Sequence, residues 1–395
     1  MRKRNIQIIF IGFKSNIKTV IYKKDSIMNS YTQFKLQSNP FRLTPALSSE
    51  ELIWAGFPEL KKRIENRILK AIKIPNSSLI LNWGDYGSGK THAARYFTNL
   101  NVLSNLKIKT DSLPLPLIIN FPRSKEPVKE IYTQIIDKID IDDIRRRLEK
   151  EKIDIASVLS QVTDNVLIQN IVSLLLNPTV SPQMMKSYLY GTASITSNFV
   201  DKNVSRKLVS DIDYIELLSA LFSVITYDKK AYSCVIIWID EFESISILNT
   251  VSISNVNNLI RSLLDYVPNN LLIFLNLTQS AMMDVSDLSD YLQEAVKSRI
   301  KDKIELGIPD LDAFKLYLKE LLNNPLYRTS ECSDKPYFPF EEDVIDQIFN
   351  DLGGSVSLRR YNDAFSLLLD EAMIENVCPI DLNFYTQKKN EIIID

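Results

Sequence analysis

The sequence predicts an α/β fold: a parallel five-stranded sheet with a helical insert and a C-terminal helical lid. Three observations point there. Short apolar runs alternate with helical stretches, the pattern of strands joined by crossovers. One run, Leu79–Leu81, feeds a glycine loop that opens directly into a helical pattern at His92–Phe97. Another, Cys234–Ile239, is apolar at every position, as a strand covered on both faces must be, and ends in Asp240 and Glu241.

Taken in order, residues 1–24 carry seven Lys or Arg and no acid around an apolar stretch. Lys14 and Lys18 interrupt that stretch and no small-residue cleavage site follows, so a secretory signal is not expected. The segment reads as an extension upstream of a start at Met28, in preference to a functional basic arm. Residues 28–50, including Gln37–Phe41, read as irregular linker, with Ser49 able to cap a following helix. Leu60, Ile64, Ile68 and Ile72 then fall on one face of a helix. Strand one and its loop follow, and strand two is Leu115–Phe121.

Residues 125–230 are almost wholly helical in pattern, and about 140–230 form an insert between strands two and three. Arg145, Arg146 and Arg147 are interleaved with Asp142, Asp143, Glu149 and Glu151, so they read as a solvated helix face rather than a nucleic-acid patch. After strand three, Glu243 reads as a helix-start charge. Strand four is Leu271–Thr278 and strand five Lys303–Leu306. Three helices, Leu311–Leu322, Glu341–Leu352 and Ser355–Met373, close the pattern, with Pro325, Pro336 and Pro339 in the loops. The expected units are 1–50 extension and linker, 51–309 the sheet domain, 310–375 the lid and 376–395 a tail.

Bulk properties exclude several chemistries. The 395 residues suffice for two or three units with proper cores. A formal charge of −2 gives no global field for nucleic acid or anionic membrane, so any DNA contact has to be local. Cys234, Cys332 and Cys378 lie far apart, which suggests neither a disulfide framework nor zinc. His92 is the one histidine, so histidine-based metal centres and Ser-His-Asp triads are out. With no run of about eighteen apolar residues, no membrane span and a cytoplasmic location are expected.

The loop Gly84-Asp85-Tyr86-Gly87-Ser88-Gly89-Lys90-Thr91 fits the phosphate-binding P-loop (Walker A) pattern, G-x-x-x-x-G-K-[ST], in its required strand–loop–helix context. Glycines let consecutive N–H groups turn onto phosphate oxygens. The helix starting near Lys90 adds its positive end. Lys90 would reach the β- and γ-phosphates of ATP, and the Thr91 hydroxyl would ligate Mg²⁺. His92 follows at the edge of this nucleotide-binding set, with a packing or surface role as the plainer reading. The apolar strand ending in Asp240-Glu241, 150 residues after Lys90, is the Walker B pattern. Asp240 would hold the Mg²⁺ shell and Glu241 would polarise a water for attack on the γ-phosphate.

With both motifs in order before a helical C-terminal unit, residues 38–375 resemble an AAA+ ATPase, of the branch containing the origin-recognition and Cdc6-type initiators and the ExeA/TniB-type ATPases. The resemblance implies an ATP-hydrolysing oligomer. It places Trp54–Phe57 beside the adenine, where Phe57 replaces the family's arginine. It puts Thr278 at the sensor-1 position, with Asn276 as a substitute. Arg299, in Ala295–Arg299, resembles an arginine finger serving the neighbouring subunit, an ordinary surface arginine being the alternative. Arg359, with Arg360 as the off-by-one alternative, resembles the sensor-2 arginine of the lid. Two features depart from that branch: the chain has about twenty residues after the lid rather than a winged helix, and the insert is long. Tyr188–Gly191 before a long helix is similar to ATP-binding proteins of BREX phage-exclusion systems. The implied function is an ATPase switch or motor in phage defence, mobile-element biology or replication, homo-oligomeric, with a protein partner or DNA as client. The alternative is a nucleotide-stabilised scaffold with little turnover.

Overall fold

Five strands, β1 (Ser78–Asp85), β2 (Leu115–Asn120), β3 (Val235–Asp240), β4 (Leu271–Gln279) and β5 (Ile300–Glu305), pair in parallel in the order β2-β3-β4-β1-β5. The computed structural model describes residues 31–41, 52–106, 112–195, 197–267, 269–279, 287–330, 334–354 and 356–393. The expected basic extension, the Ser49 cap, Cys332 and Ser355 lie outside the described residues.

Strand alternation sorts two cores, because successive side chains point to opposite faces. Ile80, Ile236, Trp238, Leu272, Phe274 and Ile304 face α1 (Pro58–Lys73), α2 (Lys90–Thr98) and α3 (Leu100–Ser104). The helical period expected at Ile64, Ile68 and Ile72 is the buried stripe of α1. Leu79, Leu81, Leu117, Ile119, Ile237 and Ile273 face the other way, into the core shared with the insert.

Between β2 and β3 come α4 (Pro127–Lys138) and then the insert, α5 (Ile141–Lys150), α6 (Ile155–Val162), α7 (Val166–Leu176), α8 (Pro182–Leu189), α9 (Ser197–Val200) and α10 (Asp211–Ile225). Most of these are short, and their ends are tied. Side chains of Asp140, Asp154, Asn165, Ser181 and Ser210 accept backbone N–H groups at the starts of α5, α6, α7, α8 and α10. Each such cap contributes about 1 kcal/mol. Helix α10 buries residues around most of its circumference, as a core helix does. The insert thus shares one core with that face of the sheet.

Arg145 corrects the expectation of a solvated arginine face. It is 7% exposed, and donates from Nε to the Leu175 carbonyl (2.8 Å) and from Nη1 to the Val180 carbonyl (2.7 Å). Helix-end carbonyls without an intrahelical partner need a donor, and Arg145 is that donor at the end of α7. Arg147 lies 4.6 Å from the centre of the Tyr232 ring and pairs with Asp143, whereas Arg146 is the one turned to solvent.

Beyond β3, α11 (Thr250–Tyr266) leads to β4, and α12 (Leu288–Tyr291) and α13 (Glu294–Lys297) to β5. The C-terminal unit holds α14 (Leu311–Leu322), α15 (Glu342–Asp351), α16 (Leu358–Glu375) and α17 (Leu382–Ile392). Two segments expected outside this unit belong to its core. Phe34, Leu36 and Phe41 of the expected linker pack with Phe340 and Phe365, and Phe384 and Tyr385 of the expected tail join them. Packing there takes their apolar surface out of water. Asn39 and Tyr31 fix the first segment by hydrogen bonds to Asp370. Among the described residues no helix is long and apolar enough to cross a membrane.

Candidate active site

Strand β1 ends at Asp85 and α2 begins at Lys90, so the chain turns within four residues at the C-terminal edge of the sheet. Gly87 and Gly89 take φ of +81° and +98°, which favours glycine. Gly84 is required for a different reason: a Cβ there would lie 2.3 Å from the Leu306 carbonyl oxygen.

Lys90 is 6% exposed, and its Nζ donates to the carbonyls of Gly84 (2.8 Å) and Asp85 (2.7 Å) and, at 3.3 Å, to Ser88 Oγ. The ammonium is thus folded into its own loop. Burial lowers its pKa to about 8, with Glu243, Asp240 and Asp85 opposing that shift. The Thr91 hydroxyl donates to Asp240 Oδ2 at 2.7 Å. The carboxylate's other oxygen accepts from Asn276 Nδ2 at 3.1 Å, and Asn276 Oδ1 in turn accepts from Asn82 at 3.1 Å. Both asparagines are fully buried, so Asp240 is aimed by a polar ladder across β1, β4 and β3.

Thr278 pairs with Gly84 in the β1–β4 register, two residues beyond Asn276 on the same face. Its backbone N–H donates to Glu243 Oε2 at 2.9 Å. Glu243 does stand in a first helical turn, as expected, and its carboxylate also ties the turn after β3 to β4. Glu241 takes φ +57° and turns toward Arg123, whose Nη2 is 3.5 Å from Glu241 Oε2.

Of these, Lys90, Thr91, Asp240, Glu241, Glu243 and Thr278 line one cleft of about 470 Å³. Its apolar wall comes from Ile53, Trp54, Phe57, Ile308, Tyr317 and Leu321. His92 Nε2 bonds to the Ile53 carbonyl at 2.7 Å, which anchors the Ile53–Phe57 segment on α2. The same segment is pinned to α14, because Gly56 N–H donates to Glu320 at 2.7 Å. Arg359 enters the cleft from α16, over Tyr86.

Arg299 is not among the cleft residues. It is bound to Asp265 (Nη2–Oδ1 2.6 Å) and to the Ala295 carbonyl. It precedes Ile300, which pairs with Leu79 at the beginning of β1, whereas the loop leaves the far end of that strand. The structure therefore gathers Gly84–His92, Asp240, Glu241, Thr278 and Arg359, and leaves Arg299 apart. Sequence reasoning missed Arg123 and Asn82. Asn82, polar within the apolar run from Leu79 to Trp83, was the available signal.

A Thr91 hydroxyl beside a buried carboxylate offers the hard oxygen donors that suit Mg²⁺ when phosphates and waters complete its shell. No protein-family model matches the chain, and no curated protein matches it. Solved structures do. The Aeropyrum pernix ORC2 protein, in its ADPNP-ADP complexes, superposes with a TM-score of 0.51 at 15% identity, over 85% of this chain and 68% of that one. This is the AAA+ fold. Other AAA+ similarities are to the Aeropyrum pernix ORC1 protein in complex with DNA (TM-score 0.49, 14% identity, 91% of this chain and 70% of that) and Cdc6p from Pyrobaculum aerophilum (0.49, 12%, 91% and 72%). At 15% identity the ORC2 likeness shows the fold alone.

Proposed function

We propose that the chain is a Mg²⁺-dependent ATPase that works as an oligomeric switch or motor. The observation that carries this is the 2.7 Å bond between Thr91 and Asp240. It joins the end of the glycine loop to the end of an apolar strand 149 residues away, and puts the two expected Mg²⁺ ligands side by side. Lys90 and the N-terminus of α2 supply positive charge for phosphates. Glu241 is the candidate for polarising a water, Thr278 for orienting it, and Arg359 for contact with the γ-phosphate. When bound, Mg²⁺ would neutralise charge between the β- and γ-phosphates. Nucleotide in the ORC2 relative supports ATP as ligand.

DNA, reached locally or through a protein partner, is the proposed client, and genome defence or mobile-element biology the proposed setting inside the cell. The support is the motif resemblance; the near-neutral charge gives no global field, so the proposed DNA contact is a local one. The Arg123–Glu241 pair favours a second reading, a nucleotide-held scaffold with slow turnover.

Titration with fluorescent ATP tests the first step. Wild type binds, and Lys90→Ala loses binding while its thermal unfolding is retained. Steady-state phosphate release then separates ATPase from scaffold. Equal ATP affinity in both proteins would remove the P-loop assignment.

A further inference from the structure

At the mouth of the cleft the guanidinium of Arg359 lies 4.6 Å from the centre of the Tyr86 ring. The two residues come from different elements. Tyr86 is at the tip of the glycine loop and 69% exposed, an unusual position for a large ring; Arg359 is in the first turn of α16. Their backbones also meet. Arg359 N–H donates to the Gly87 carbonyl at 3.3 Å, and a Cβ on Gly87 would lie 2.7 Å from Arg359 Cβ. Loop and helix are thus in direct contact beside the ring, which sets where the arginine side chain begins.

An aromatic face attracts a guanidinium through the ring's negative centre. A guanidinium's N–H donors lie in its own plane, so a group resting on a ring by its flat face keeps donors for phosphate. An arginine without such a rest loses more rotamer freedom when a phosphate captures it. We propose that Tyr86 is a positioning residue for Arg359, holding the guanidinium at the phosphate end of the cleft before nucleotide arrives. This rests on the ATP reading above. ADP has no γ-phosphate for Arg359 to meet, so the ring favours ATP over ADP.

The test is titration of the full chain with fluorescent ATP and with fluorescent ADP, in wild type, Tyr86→Leu, Tyr86→Phe, Arg359→Ala and the Tyr86→Leu/Arg359→Ala double variant. Tyr86→Leu should lower the ratio of ATP to ADP affinity by about two- to fivefold, the worth of an exposed cation–π contact. Tyr86→Phe, which keeps the ring, should restore the wild-type ATP/ADP ratio. In the Arg359→Ala background the Tyr86 substitution should add nothing. Equal losses for ATP and ADP, tighter ATP binding by Tyr86→Leu, or an effect that persists without Arg359 would each overturn the proposal. Failure of wild type to bind ATP is a different result: it removes the nucleotide reading, and this inference with it.

Discussion

Arg123 Nη2 stands 3.5 Å from Glu241 Oε2, and both side chains are more than half exposed. An exposed ion pair contributes at most about 1 kcal/mol to stability, so its consequence lies in where it aims the carboxylate. Arg123→Ala should leave thermal unfolding nearly unchanged and raise basal phosphate release, because Glu241 is freed to turn toward the cleft. Glu241→Gln should retain ATP and lower turnover by about two orders of magnitude. Asp240→Asn should instead weaken Mg²⁺-dependent ATP binding, since it disturbs both the Thr91 and the Asn276 bonds. Identical behaviour of Glu241→Gln and Asp240→Asn would show that the two acids do not divide the work.

Lys90 predicts a pH profile. Burial brings its pKa down to about 8, and phosphate, as an opposite charge, stabilises the protonated form and raises it again. Below pH 8 the ammonium is already formed in the free protein, so affinity for ATP should be flat there. Above pH 8 binding must take up a proton, and affinity should fall by at most about tenfold per pH unit. Folding carries the opposite sign: the unfolded chain holds this proton more tightly, so Lys90's contribution to stability rises with pH above 8. An ATP affinity that rises with pH in this range would contradict the buried-lysine geometry.

The insert should fold with the sheet. Asp213, 4% exposed at the start of α10, accepts from Arg206 Nη1 (2.9 Å) and Nη2 (2.7 Å) and from the N–H groups of Val209 and Ser210. Asp213→Ala should cost about 1–3 kcal/mol, seen as a lower midpoint of a single urea transition. The Arg206 bonds hold this carboxyl below the usual range, so its contribution is full above about pH 4 and declines as pH falls further. A separate early transition for the insert would show that it folds independently.

Arg299 tests the oligomer. At the opposite end of β1 from the loop, it can serve a phosphate only on a neighbouring chain. Arg299→Ala and Glu241→Gln should each bind ATP and hydrolyse it poorly. Mixing them creates interfaces at which an intact Glu241 meets an intact Arg299, about a quarter of the total if subunits exchange freely. Activity should return on mixing. Exchange without recovery would assign Arg299 to its bond with Asp265 instead.

Local pattern was enough for the parts of this protein whose physics is local. The glycine loop could be read because its strand, turn and helix are contiguous, and the strands because an apolar run covered on both faces has few other uses. The helical period of α1, α14 and α15 was legible for the same reason. Tertiary structure alone decided the rest. Arg145 is buried because carbonyls 30 and 35 residues away need a donor. Residues 31–41 join the C-terminal core through partners such as Asp370, 339 residues from Tyr31. Asn276 aims Asp240, and Arg123 draws Glu241 aside, only because parallel pairing sets β2, β3 and β4 next to one another. Hydrogen bonds and ion pairs act over a few ångströms of space, and separation along the chain carries no record of which groups the fold will bring that close.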